Sequence, residues 1–220
     1  MSNIAEVQAR HERLVAERRR TLGEEHLETL AAMLDLADSL WAQGRLIAAR
    51  QLENQVVAGR RHLLGEQHFD TLKATGKLAV TMAAQGDLIE ARELQERVVE
   101  GMRGIYGDHG LETCRAINNL AGTISAQGDL DTAHQLLQSV VEVACREFGE
   151  DHPDTLTAMG NLAAVLWQQG DLDEAYALQH YLVHIGPESC AGGREAVREA
   201  LTGERAGQPL SRENSDGRVT

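Results

Sequence analysis

The sequence predicts an all-α protein, a solenoid built from antiparallel helix pairs. Three observations carry that expectation. Landmark residues recur every 42 positions without a gap. Good helix formers dominate and there are only 3 prolines in 220 residues. Each recurring unit reads as two amphipathic stretches separated by a glycine.

The recurrence comes first, because a fixed period of this size is the mark of a stacked architecture. Gly23-Glu24-Glu25-His26 is followed by Gly65-Glu66-Gln67-His68, Gly107-Asp108-His109 and Gly149-Glu150-Asp151-His152. Thr29, Thr71, Thr113 and Thr155 keep the same spacing. So do Gln43-Gly44, Gln85-Gly86, Gln127-Gly128 and Gln169-Gly170, and the alanines Ala49, Ala91, Ala133 and Ala175. Leucines recur at Leu36, Leu78, Leu120 and Leu162, and again at Leu46, Leu88, Leu130 and Leu172.

Within a unit the spacing predicts a first helix over about 29–42 in repeat one, with Met33, Leu36, Ala37 and Leu40 on one face. The Gln-Gly pair ends it, since glycine takes the left-handed conformation of a C-terminal cap at little cost. A second helix is expected over about 46–62, with Ala49, Leu52, Val56 and Leu63 as its inner stripe. In repeat four, Pro153 suits a helix first turn, and Asp154 or Thr155 could cap its free amides. Neither helix can bury its stripe alone. Small residues at Ala37, Ala79, Ala121 and Ala163 allow close approach, so stacked units would share one continuous core.

The units set the domain plan. Residues 1–25 match the second helix of a unit, because Leu14, Val15 and Leu22 stand 42 before Val56, Val57 and Leu64. Four full units follow over 26–186. Residues 187–203 hold one further helical stretch, a C-terminal cap, and 204–220 read as a disordered tail.

Composition narrows the function. Aromatics make up 3 %, too few for a sandwich or barrel. The net charge is −13, and both ends are balanced: five Arg face five Glu in the first 25 residues, and three Arg face three acids in 204–220. The acidity therefore lies in the repeats. Such a body repels phosphate backbones and anionic membranes and favours partners with basic segments. Cys114, Cys145 and Cys190 form no CxxC pair, and their odd number fits small apolar residues in a reducing, cytoplasmic setting. No signal-peptide pattern opens the chain, and no run approaches the length needed to span a bilayer. No nucleophile elbow, P-loop, zinc-protease or dinucleotide-binding motif occurs, so no enzyme, cofactor or metal is expected.

The same residues resemble the tetratricopeptide repeat. Leu120-Ala121, Gly128-Asp129-Leu130 and Ala133 match its pattern, as do Leu162-Ala163, Gly170-Asp171-Leu172 and Ala175. The period of 42, the run Gly149-Glu150-Asp151-His152-Pro153-Asp154-Thr155 and the run Asn118-Asn119-Leu120-Ala121 resemble the kinesin light chain subclass. The resemblance implies a right-handed superhelix, acting as a scaffold that binds a peptide or partner protein. In that family the first helices line a concave groove, and an asparagine clamps the ligand backbone.

Carried onto this chain, the clamp position is Asn119 and Asn161; in repeats one and two it is Asp35 and Lys77, a departure from the pattern. The same register places Asp38, Trp41, Lys73, Arg115, Asn118, Trp167 and Gln168 on the groove, with Gly76, Gly122 and Gly160 leaving it open. Each assignment has a plainer counterpart. The asparagines could bond neighbouring helices instead. Trp41 and Trp167 could pack between helices rather than stack on a ligand. Lys73 and Arg115 could be solvated and paired with nearby acids rather than anchor an acidic ligand. His26, His68 and His152 recur one per loop without a second ligand in register, which favours a structural role. Two other readings stay open: self-association through the unpaired half-unit at the N-terminal end, and a sensor whose pitch responds to a peptide.

Overall fold

The structure is a computed structural model that describes residues 2–183, with side chains from residue 6 onward. Among the described residues there are nine α-helices and no strands. They are α1 (Ser2–Leu22), α2 (Leu27–Trp41), α3 (Leu46–Leu64), α4 (Phe69–Ala84), α5 (Leu88–Tyr106), α6 (Leu111–Ala126), α7 (Leu130–Phe148), α8 (Pro153–Gln169) and α9 (Leu172–Val183). Each helix packs against the one before and the one after it. This is the expected solenoid. The cap expected at 187–203, the tail at 204–220 and Cys190 lie outside the described residues.

The first helix of repeat one begins at Leu27, two residues before the expected start at Thr29, and the reason is a cap the sequence reading did not assign. The Nδ1 atoms of His26, His68 and His152 accept the backbone N–H of Glu28, Asp70 and Asp154 at 3.2, 3.1 and 3.2 Å. Each histidine thereby satisfies one of the amides left open at a helix start. Asp154 does not cap α8; its carboxylate is turned to Arg115. In repeat three the histidine stands one residue early, at His109, and Gly110 takes the cap position without a side-chain bond. The threonines serve the same corner. Thr29, Thr113 and Thr155 donate to the carbonyls of Gly23, Gly107 and Gly149 at 2.7–2.8 Å, tying loop to helix. Replacing His152 with alanine is expected to lower stability by about 1 kcal/mol, the usual worth of a side-chain cap. His152→Asn should retain most of it. Urea midpoints of the two variants check this; equal losses would show that the ring packs rather than caps.

The Gln-Gly pairs end the first helices as expected, and Gly128 and Gly170 stand at φ of 90° and 92°. Their glutamines do more than stop a helix. Each of the last three reaches back to the second helix of the preceding unit, where residues 50, 92 and 134 hold one register position. Arg50 donates to Gln85 Oε1 at 2.8 Å and Arg92 to Gln127 Oε1 at 3.2 Å, and His134 Nδ1 lies 2.9 Å from Gln169 Oε1.

Close packing centres on the small residues. Ala37, Ala79 and Ala121 are fully buried, and Ala49, Ala91 and Ala133 equally so on the second helices. The inner stripe of α3 differs from expectation. Leu63 is exposed and Leu52 only half-buried, whereas Ala49, Glu53, Val56, Val57 and Arg60 are buried. Their positions i, i+4, i+7, i+8 and i+11 follow one helical face. A carboxylate therefore sits where repeat three has Leu137, and a guanidinium where repeats two and three have Met102 and Ala144. Arg60 donates to the Asp70 carbonyl at 2.9 Å, which gives its buried charge a partner.

Candidate functional site

The first helices α2, α4, α6 and α8 form one layer and α1, α3, α5, α7 and α9 the other. The first helices also meet each other directly, α4 with α6 and α6 with α8. A cavity of about 390 Å³ opens on this inner layer. Its walls come from three consecutive first helices: Asp38 and Trp41 of α2, Lys73, Gly76, Lys77, Val80 and Thr81 of α4, and Glu112, Arg115, Ala116 and Asn119 of α6. Its floor is Glu53 of α3 with Val98 and Met102 of α5. Gly76 keeps it open, because a Cβ there would reach only Val98 Cγ1, at 3.7 Å.

Five of the residues expected on the groove thus converge: Asp38, Trp41, Lys73, Arg115 and Asn119. The others do not join them. Asn161 Nδ2 donates to Asn118 Oδ1 at 3.0 Å, a bond between α8 and α6. These two asparagines bond adjacent units to each other, while Asn119 is exposed and lines the cavity. Trp167 leans edge-on against Tyr176, ring centres 5.6 Å apart, and Gln168 is exposed at the end of α8.

The charges of the site are mostly spent on one another. Lys77 pairs with both carboxylate oxygens of Asp38, strapping α4 to α2. Arg115 grips Asp154 with two bonds of 2.7 and 2.8 Å, strapping α6 to α8, and holds Glu112 at 2.7 Å. The guanidinium keeps the Asp154 carboxyl below the usual carboxylate range. Arg115 is therefore paired with two carboxylates, the plainer of the two arrangements expected for it. Lys73 is different. Its ammonium lies 5.9 Å from the Phe69 ring centre, within reach of a cation–π contact, and it forms no ion pair among the described residues.

The group that sequence reasoning missed is Glu53. It is 2 % exposed, and Thr81 Oγ1 donates to its Oε1 at 2.9 Å. Its Oε2 has no hydrogen-bond partner. Burial pushes its carboxyl up to about 7, against a smaller lowering by the Thr81 bond. The signal was present in the period: Glu53, Gln95 and Leu137 stand 42 apart, so a polar group occupies a core position. Gln95 is buried too, and its amide atoms likewise lack partners.

Burial raises the Cys114 thiol and pushes Cys145 up to about 11, which disfavours the thiolate at both. Among the described residues no group of three His, Cys, Asp or Glu side chains could hold a metal ion. No helix among them is long and apolar enough to cross a membrane.

Comparison with known proteins fits this architecture. Tetratricopeptide-repeat profiles match residues 29–70, 70–146 and 112–179. The chain belongs to the tetratricopeptide-repeat family. The tetratricopeptide array is similar to the crystal structure of a Podosopora anserina kinesin-light-chain-type protein with nearly identical TPR-like repeats: 28 % identity, TM-score 0.68, covering 83 % of this chain and 86 % of that one. Its repeats are thus of the kinesin light chain-like kind. More distant structures share the fold alone. BtubC (BKLC) of P. vanneervenii is 15 % identical at TM-score 0.58, covering 99 % of each chain. PlcR of Bacillus thuringiensis, solved in complex with the peptide PapR7 and DNA, is 12 % identical at TM-score 0.60, covering 92 % of this chain and 72 % of that one. No curated protein sequence matches the chain significantly.

Proposed function

We propose that this tetratricopeptide array is a non-catalytic scaffold that captures a peptide segment of a partner protein on its inner layer. The observation that carries the reading is the cavity spanning α2, α4 and α6, whose lining combines apolar floor residues with the exposed residue Asn119. A site that crosses three units suits an extended or helical segment better than a compact small molecule. Asn119 is the residue to bond the segment's backbone. Asn161, bonded to Asn118, serves the junction between units instead.

The acidic body favours segments with basic residues and disfavours nucleic acid. A scaffold of this kind works without a cofactor, and its setting would be the cytoplasm.

The test is selection from a displayed 12-residue peptide library, followed by fluorescence anisotropy. Gly76→Met would fill the cavity without a clash at Cβ. It is expected to weaken the selected peptides at least about tenfold, the effect of losing roughly 1.4 kcal/mol. Its thermal midpoint should hold, since an exposed-side glycine in a helix is the less stable choice. Asn119→Ala should weaken binding with stability intact, whereas Asn161→Ala should chiefly lower stability. Peptides that bind Gly76→Met as well as the parent would place the site elsewhere.

A further inference from the structure

Glu53 is a buried carboxylate with one oxygen satisfied by Thr81 and the other left without a partner, on the floor of the cavity. A buried polar atom without a partner is uncommon and costly, and a bound group is one physical reason for it. The charged groups around it are Asp38 from α2, Lys73 and Lys77 from α4, and Glu112 and Arg115 from α6; α5 contributes only apolar side chains to the cavity. Lys77 is neutralised by Asp38, and Arg115 by Asp154 and Glu112. What remains is Glu53, desolvated, and Lys73, exposed and hydrated.

The two leftovers are not equal as anchors. An acidic ligand would gain only a screened contact with an exposed ammonium. A basic ligand would complete the bonding of a desolvated carboxylate, where a charge-assisted hydrogen bond is worth more. The floor matches the rest of such a side chain, because Leu72, Val98 and Met102 offer an apolar track for a methylene stem.

We infer that the cavity seats a lysine or arginine side chain of the captured segment, its charged head bonded to the Glu53 carboxylate and its stem along Leu72, Val98 and Met102. This rests on the groove reading above and adds the residue class recognised at its centre. One consequence is proton linkage. Glu53 is held partly protonated near neutrality, so seating a cation releases its proton to the medium, and affinity rises with pH up to about 7.

The experiment uses the full chain and four pools of acetylated, amidated heptapeptides, randomised except at the fourth position, which is lysine, arginine, norleucine or glutamate. At about pH 8 the lysine and arginine pools are expected to bind at least about tenfold more tightly than the norleucine and glutamate pools. Calorimetry of the lysine pool in two buffers of different ionisation enthalpy should detect proton release near neutral pH. Glu53→Gln should erase both the preference and the proton release while keeping the norleucine pool's affinity. That variant is expected to fold, since Gln95 already occupies the equivalent place one unit on. Thr81→Val, which removes the other bond to the carboxyl, should keep the preference for basic residues. Equal affinities across the four pools would overturn this inference and leave the groove proposal standing. Binding of none of the pools would overturn both.

Discussion

Leu137→Ala is expected to lower the unfolding free energy by about 2–5 kcal/mol, the range seen when a large aliphatic side chain is removed from a well-packed interior. Leu137 is fully buried on α7, within the cluster that joins α6, α7 and α8. In a stacked array each unit leans only on its neighbours, so the loss should not spread evenly. Hydrogen exchange should show α8 and α9 losing protection first, at denaturant concentrations where α2–α5 stay closed. Urea titration followed by circular dichroism gives the magnitude. A loss under about 1 kcal/mol with unchanged protection of α7 would contradict the burial of this side chain.

The second large effect is electrostatic. The folded chain holds the Glu53 proton more tightly than the unfolded chain does, at about 7 against 4.5. Burial is the main cause, Asp38 adds to it, and Thr81 and Lys77 oppose it. The stability tied to this proton is therefore full below about pH 4.5 and lost as pH rises towards 7. Above that the folded chain carries a penalty of up to about 3 kcal/mol. Glu53→Gln removes the titration while keeping the shape. The variant and the parent should be close in stability at pH 4, and the variant should be the more stable at pH 8. Measuring the difference between the two chains cancels other titrating groups. A gap that stays constant from pH 4 to pH 8 would mean that Glu53 is hydrated and ordinary.

Much of this molecule was legible in its residues, and the illegible parts share a cause. The recurring Gly, Thr and Gln-Gly marks gave the helix pairs their number and order, because backbone geometry leaves few choices at a helix end. The histidine caps were missed because an imidazole in a loop reads as a ligand or a bystander, while Asp154 and Thr155 looked the natural caps beside it. The inner stripe of α3 was drawn through its leucines. The helix is turned so that Glu53 and Arg60 face inward and Leu63 faces out. Spacing fixes which residues share a face, but the rotation of that face depends on the packed neighbour.

Asn161 shows the same limit. Its family position matches that of Asn119, yet its partner Asn118 lies 43 residues back, one step off the repeat. That offset depends on how α8 settles on α6, which no single-chain pattern records. Trp41 and Trp167 share a register too, and only Trp41 reaches the cavity.

Two further sets of bonds sit at opposite ends of the first helices, beside the direct ties Lys77–Asp38, Arg115–Asp154 and Asn161–Asn118 between them. Histidine caps and Thr–Gly bonds gather where each first helix begins. The glutamine bridges to Arg50, Arg92 and His134 gather where α4, α6 and α8 end. Loosening only the glutamine bridges would free the ends of α4, α6 and α8 from the unit before each, while the Lys77–Asp38, Arg115–Asp154 and Asn161–Asn118 ties still hold the first helices to one another. The fit of one unit on the next is thus set in part by side chains that stand away from the cavity.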